Sequence, residues 1–175
     1  MTRPISYNAR VSQDEAVSDE VAVVLMEFRH PSTSAALRLS TDPTERLTTS
    51  PLAYGTRSTW RGADPATEPF VFAMVQVELP GEMKDTGIEM RMYVSALDST
   101  LLSTLRSFRT FATCHAGLFR ASAPDIPEAQ WPDLVLTDAS MSDSTVELVL
   151  RSRQIEAEIF PAAHMTQNRF PALYR

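Results

Sequence analysis

The amino-acid sequence predicts a mainly β protein, an antiparallel sandwich or partly closed barrel with one helix packed on it. Several runs of residues alternate between apolar and polar, which is the period of a strand, and breaks rich in proline and glycine separate them. Only residues 98–108 show clear helical spacing. A chain of 175 residues with 43% hydrophobic residues is long enough to bury a core in one domain.

The first clear strand pattern lies at residues 20–29, EVAVVLMEFR. From Val24 onward, apolar residues alternate with Glu27 and Arg29, so we expect one face to pack on the core and the other to face solvent. A His-Pro-Ser break follows. The next alternating run, residues 36–40, is expected to pair back as a hairpin.

The middle of the chain alternates between breaks and strand patterns. Residues 41–54 contain many turn-forming residues, and residues 61–69 form a second polar break, so both stretches are expected to be loops. Residues 70–79 are predicted to form the most apolar strand. Residues 87–95 alternate cleanly, and we expect the two runs to form an antiparallel pair.

After this pair the period changes from two residues to that of a helix. An N-cap sequence and leucines at helical spacing predict the helix at residues 98–108. Strand patterns resume at residues 110–121, 133–137 and 145–152, which brings the expected total to six to eight strands. The chain divides into an N-terminal arm or short helix at residues 1–19, a β-rich domain at 20–159 and a C-terminal arm at 160–175.

Composition and charge argue against several classes of function. The formal net charge of −6 argues against a general nucleic-acid binder, which needs a basic face. No run approaches the roughly 20 apolar residues of a membrane span, and the N-terminal residues lack the apolar stretch of a signal peptide. We therefore expect synthesis in the cytoplasm, no membrane partner and no specific nucleic-acid partner.

Cys114 and His115 are the only adjacent pair of residues with soft metal-ligand or nucleophile chemistry. One cysteine excludes an intramolecular disulfide and a multi-cysteine zinc site within this sequence. A catalytic dyad is also disfavoured, because adjacent residues of a strand point to opposite faces. Glycine-rich phosphate loops and nucleophile-elbow motifs are absent, so we expect no catalytic residues, no cofactor and no metal.

Three passages resemble a small family of tailed-phage proteins, a domain of unknown function usually encoded among tail-tip and baseplate genes. The first passage is VAVVLMEFRHPSTSAALRLS. The second is FVFAMVQVELPGE followed by IEMRMYVSALDSTLLSTLRSF. The third is VELVLRSRQIEAEIFPAAHMTQNRFPALYR, in which Phe160-Pro161 and the later Phe170-Pro171-Ala172-Leu173 match the family's two F-P motifs.

The resemblance implies a structural subunit of a bacteriophage tail tip or baseplate hub, located in the virion after synthesis in the host cytoplasm. The expected partners are further copies in a homo-oligomeric ring and other tail proteins: the distal tail protein, the hub, and tail tube or fibre proteins. Two alternatives remain open at this point. One is a cytosolic tail-assembly chaperone, and the other is a small enzyme that uses Cys114 and His115.

The C-terminal arm supplies the candidate subunit interface. Its prolines favour an extended chain that cannot enter the interior of a regular ladder, and its aromatic and arginine side chains are types that interfaces enrich. We expect the arm to dock at least partly on an adjacent subunit. The candidate interface residues are Phe160, Arg169, Phe170, Leu173 and Tyr174.

Overall fold

The fold is seen in a computed structural model that describes residues 7–16, 18–31, 33, 35–80, 88–95, 111–142 and 145–152. The described residues form one short α-helix, one 3-10 turn at Trp60–Gly62 and ten strands, which confirms the mainly β class. The elements are α1 (Tyr7–Asp14), β1 (Ala22–Arg29), β2 (Leu37–Ser40), β3 (Glu45–Thr49), β4 (Leu52–Thr56), β5 (Phe70–Phe72), β6 (Val75–Glu78), β7 (Glu89–Ser95), β8 (Thr113–Arg120), β9 (Ala129–Met141) and β10 (Thr145–Ser152).

All ten strands belong to one sheet, in the order β3-β4-β5-β2-β1-β8-β9-β10-β7-β6. The sheet curls into a half-barrel, so the partly closed barrel is the correct alternative and the two-sheet sandwich is not. The expected hairpin of β1 and β2 is present, with Met26 opposite Leu39. The expected antiparallel pair of β6 and β7 is also present, with Val77 opposite Met92.

The prediction of one strand at residues 70–79 is wrong, because the chain changes its partner in the middle of that run. β5 pairs in parallel with β2, whereas β6 pairs with β7 near the far end of the sheet. Ala73 N–H donates to the Ser40 carbonyl (3.0 Å), and Ser95 N–H donates to the Met74 carbonyl (3.0 Å). One continuous segment therefore bridges β2 to β7, and this bridge holds the sheet in its curl.

The main core lies on the concave face of the curled sheet. Its buried side chains come from β1, β2, β7, β8, β9 and β10, together with the bridging Ala73. Met90, Met92 and Val94 of β7 lie inside, as their alternation predicts, while Arg91 is exposed. Cys114 is buried in the same core.

The prediction that one face of β1 is solvated is wrong. Val23 and Leu25, on the face turned away from the main core, pack with Trp60, Phe70 and Phe119 in a second buried cluster. The Trp60 ring centroid lies 5.8 Å from that of Phe70 and 5.2 Å from that of Phe119. The segment between β4 and β5 carries Trp60 across this face, so β1 is covered on both sides.

Hydrogen bonds to one carboxylate fasten this covering segment to the loop between β8 and β9. Asp125 accepts from Thr59 N–H (2.7 Å), from the Thr59 hydroxyl (2.9 Å) and from the Ser58 hydroxyl (3.2 Å). These bonds, led by that from the Thr59 N–H, hold the pKa of Asp125 below its ordinary value. The position of Trp60 therefore depends on a residue far along the chain.

Residues 41–54 were expected to be a loop, but they contain β3 and most of β4. These strands are short, and β3 is polar (ERLTT), so neither gives a strong alternating pattern. The hairpin reaches the rest of the sheet through β5, where Gly55 lies opposite Val71. A Cβ at Gly55 would lie 2.0 Å from the Phe70 carbonyl oxygen, so only glycine permits this close approach.

Strand β9 runs well beyond the expected residues 133–137 because it continues through a bulge. Cys114 is opposite Leu134 and Ala116 is opposite Trp131, so Pro132 and Asp133 together face one residue of β8. The bulge accommodates a proline, which has no N–H to donate to the ladder. Trp131 and Leu134 both pack on the main core. In a regular strand, two residues three positions apart would point to opposite faces, so the bulge is what brings these side chains to the same face.

Strand β10 spans 145–152 as predicted, and α1 lies within the segment expected to be an arm or short helix. The helix expected at residues 98–108 lies outside the described residues.

The buried face of β7 gives a test of the barrel. Replacing Met92 with Asp places an unpaired charge in the main core and should lower the free energy of unfolding by about 3–5 kcal/mol. Replacing the exposed Gln76, on the neighbouring β6, with Asp is the matched control and should change it by about 0.5 kcal/mol or less. Urea unfolding followed by circular dichroism measures both, and equal losses would contradict the assignment of faces.

Candidate functional site

The candidate interface residues of the C-terminal arm all lie outside the described residues, so the structure neither places them nor brings them together. They are Phe160, Arg169, Phe170, Leu173 and Tyr174.

Cys114 and His115 lie on opposite faces of β8. Cys114 is fully buried in the main core, and burial raises the pKa of its thiol far above the ordinary value. His115 projects to the other face, where its ring meets Arg61 and the backbone of Asp133. The two side chains therefore cannot act together as a nucleophile and base, as the strand period predicted.

The face that carries His115 holds a charge cluster that sequence reasoning missed. At its centre is Glu27 of β1, whose side chain has no solvent exposure. The strand register places Glu27 between two polar neighbours, opposite Arg38 of β2 and opposite His115 of β8. Burying a carboxylate costs free energy unless cations and hydrogen-bond donors surround it. Glu27 can therefore be buried at this position only because the cluster surrounds it.

Three guanidinium groups converge on the Glu27 carboxylate. Arg29 Nε donates to Oε1 (2.8 Å), and Arg38 donates to Oε2 through Nε (3.1 Å), with Nη2 at 3.0 Å from the same oxygen. Arg61 Nε lies 3.7 Å from Oε1. The Arg38 side chain is only 9% exposed, whereas those of Arg29 and Arg61 are 54% and 37% exposed. Arg38 therefore anchors the carboxylate, while the other two reach from it toward solvent.

Arg61 reaches this position from a strained turn. Its φ of 60° lies in the left-handed region, which is unfavourable for a residue with a Cβ. The turn follows Trp60, which is buried against β1 and β8, so the chain must reverse directly above Glu27. The hydrophobic cluster thus sets the place at which Arg61 enters the charge cluster.

Both ring nitrogens of His115 face hydrogen-bond donors. Asp133 N–H donates to Nδ1 (3.1 Å), and Arg61 Nη2, which can only donate, lies 3.1 Å from Nε2. A neutral imidazole has one accepting nitrogen, so it satisfies one of these donors at a time, and an imidazolium satisfies neither. Burial, followed by the positive charge of Arg61, accordingly lowers the pKa of His115.

A cavity of about 580 Å³ opens beside this cluster. Glu68 also faces it, and its carboxylate lies 3.0 Å from Arg38 Nη1. Three guanidinium charges against the carboxylates of Glu27 and Glu68 leave one net positive charge here, in a chain whose net charge is −6. The other polar residues that line the cavity are Arg29, His30, Thr33, Arg38, Arg61 and Thr113.

A second surface of interest is the β3–β4 hairpin. β3 occupies one end of the sheet and pairs only with β4 among the described strands. Leu52 is 61% exposed and Tyr54 is 39% exposed, and most of β3 is also open to solvent. An edge strand with no described strand on its outer side, next to exposed apolar side chains, is a natural site for another chain to pair.

Within the described ranges, no group of three or more His, Cys, Asp or Glu residues is placed to hold a metal ion. None of the helices in those ranges has the length and hydropathy of a membrane span.

The chain matches no protein-family model, and a search of curated proteins finds no match to its sequence.

The environment of His115 predicts a pH-dependent stability. An unfolded histidine binds its proton near its ordinary pKa of about 6.5, whereas folded His115 binds it only at lower pH. Folding stability should therefore fall as the pH drops from about 7.5 to about 5.5. The variant His115→Gln, whose amide oxygen can still accept from Asp133 N–H, should lose less stability over this range.

Thermal unfolding of both proteins across this range measures the difference, and proton NMR follows the His115 ring directly. Carboxylates with lowered pKa, such as Asp125, titrate below this window and do not interfere. A His115 ring that titrates at or above the ordinary histidine value would contradict the argument.

Proposed function

We propose that this chain is a structural subunit of a bacteriophage tail tip or baseplate hub, and that it assembles into a homo-oligomeric ring through its sheet edges. The phage context comes from the order of three sequence passages that resemble tail-tip proteins. The observation that carries the assembly role is the β3–β4 hairpin, which extends the sheet beyond β5 and ends in an edge that no other described strand covers.

The hairpin needs more contact than its own two strands supply. Short two-stranded hairpins are marginally stable in water, and this one joins the sheet only at its β5 end, where Gly55 and Thr56 are buried. Toward its turn, Leu52 and Tyr54 remain exposed. Pairing with another copy would complete the hydrogen bonding of β3, and side chains of the added strand would pack beside Leu52 and Tyr54 on the neighbouring β4.

The two ends of the sheet are different strands, and this favours a ring over a symmetric dimer. Among the described strands, β3 ends the sheet on one side and β6 ends it on the other. When one edge of a subunit pairs with the other edge of the next, the contact is head-to-tail, and repetition closes a ring if the rotation allows. We propose that the β3 edge of each subunit pairs with the β6 edge of its neighbour.

Two further features of the chain support a structural role. The curled sheet encloses the main core and forms a single body, so its edges are available for contacts with other subunits. The opposite placement of Cys114 and His115 favours the structural role over the small-enzyme alternative, which would need the two side chains side by side. The proposed neighbours are other copies, the distal tail protein, the hub, and tail tube or fibre proteins, in the virion.

Oligomeric state tests the hairpin contact. Native mass spectrometry of the purified full chain should show a closed oligomer. Replacing both Leu52 and Tyr54 with Lys should weaken assembly by at least about tenfold while leaving the circular dichroism spectrum unchanged, because β4 would then offer charges in place of apolar side chains next to the added strand. Replacing Ile126, which is 58% exposed in a loop, with Lys is the matched control and should assemble normally. A monomeric wild-type chain, or normal assembly of the double variant, would contradict the proposed contact.

Composition of washed phage particles tests the tail-tip role separately. Mass spectrometry of virions of the encoding phage should detect this chain at a fixed ratio to the major tail proteins. If the chain is present in lysates and tail-assembly intermediates but absent from washed virions, the chaperone alternative is correct and the structural role is wrong.

A further inference from the structure

The arginine cluster carries more positive charge than the buried carboxylate requires. Arg38 alone contacts Glu27 through two of its nitrogens, and Arg29 adds a 2.8 Å bond to the other oxygen. Arg61 approaches the same oxygen no closer than 3.7 Å and is held there from a left-handed backbone position. Its guanidinium is therefore not needed to satisfy Glu27, although it is fixed beside it.

The surplus charge faces a cavity large enough for a small ligand. At about 580 Å³, the cavity falls within the range of small-molecule sites. Arg29 and Arg61 line it and are partly exposed, and the hydroxyl-bearing Thr33 and Thr113 lie on the same lining. Guanidinium groups suit such a site because their planar forks bind oxyanions through paired N–H donors.

A carboxylate of the chain already occupies part of the site. Glu68 lies 3.0 Å from Arg38 Nη1, and its side chain is 50% exposed, so it can leave toward solvent. We propose that the cavity binds the phosphate monoester group of a small anionic ligand, and that Glu68 holds the place of this group until the ligand displaces it. The site is independent of the sheet edges and of the assembly role.

Charge balance favours a phosphate monoester over a monoanion. Without Glu68, the three arginines exceed Glu27 by two positive charges. A phosphate monoester carries about −1.5 to −2 at neutral pH and matches this excess. A carboxylate or a phosphodiester brings a single negative charge, which only replaces that of Glu68.

Isothermal titration calorimetry of the purified full chain with inorganic phosphate, at about pH 8 and constant ionic strength, tests the proposal. One saturable site per chain is expected. Arg29→Gln and Arg61→Gln should each weaken binding by about tenfold or more, the loss of a charge-assisted hydrogen bond. Arg91→Gln is the matched control, since Arg91 pairs with Glu89 on β7, and its affinity should stay within about twofold of wild type.

Glu68→Gln provides a result that unfolding cannot imitate. Removing the competing carboxylate should strengthen phosphate binding by about threefold or more, whereas damage to the fold would weaken it. Dimethyl phosphate and acetate, both monoanions, should bind at least about tenfold more weakly than phosphate. Absence of a saturable phosphate site, an unchanged affinity in Glu68→Gln, or monoanions that bind as tightly as phosphate would each overturn the proposal.

Discussion

The bridge at Ala73 and Met74 is the constraint on which the rest of the fold depends. β2 and β7 lie far apart in the order of the sheet, yet consecutive residues bond to both, through Ser40 and Ser95. A sheet that stayed flat could not satisfy both bonds. Once the sheet is curled, the apolar faces of six strands meet in one core, and the outer face of β1 becomes a convex surface that needs its own cover.

That cover explains why hydrophobic and charged features lie side by side on the outer face. Trp60 covers Val23 and Leu25, and the next residue, Arg61, stands over Glu27, two positions further along the same strand. The apolar contacts of Trp60 fix the segment between β4 and β5 against β1. Arg61 is thereby held where its guanidinium reaches Glu27. The hydrogen bonds of Asp125 join this segment to the loop after β8. Arg61 and Gly62 of the segment line the cavity beside Glu27, so this wall of the cavity is held in place by contacts with β1 and with that loop.

The sequence pattern predicted the elements whose two faces differ sharply. The clean alternation of residues 87–95 identified β7 and its buried face, and the strand pattern at 145–152 identified β10. The opposite orientation of Cys114 and His115 followed from the strand period alone. The pattern failed where tertiary contacts override it. Glu27 reads as a solvated residue, because nothing local shows that Trp60 will cover β1.

The charge cluster was missed for a related reason. Glu27 and Arg38 lie on the two strands of the predicted hairpin, so the register of that hairpin was the one available signal for their pairing. Arg61 comes from a segment read only as a polar break, and no periodicity connects it to β1. The polar strand β3 was missed because an edge strand exposed on most of its length has no apolar face to reveal it.

The bulge in β9 has a consequence for how this chain varies among relatives. Trp131 and Leu134 reach the same core only because Pro132 and Asp133 occupy the space of one residue. Loss of one of the two would leave a single residue opposite His115 and would turn the bulge into a regular strand, with Trp131 and Leu134 still on the core face. Loss of a residue elsewhere in β9 would instead shift the register and turn one part of the strand over. Relatives should therefore tolerate a one-residue difference in length at the bulge better than at any other position of β9.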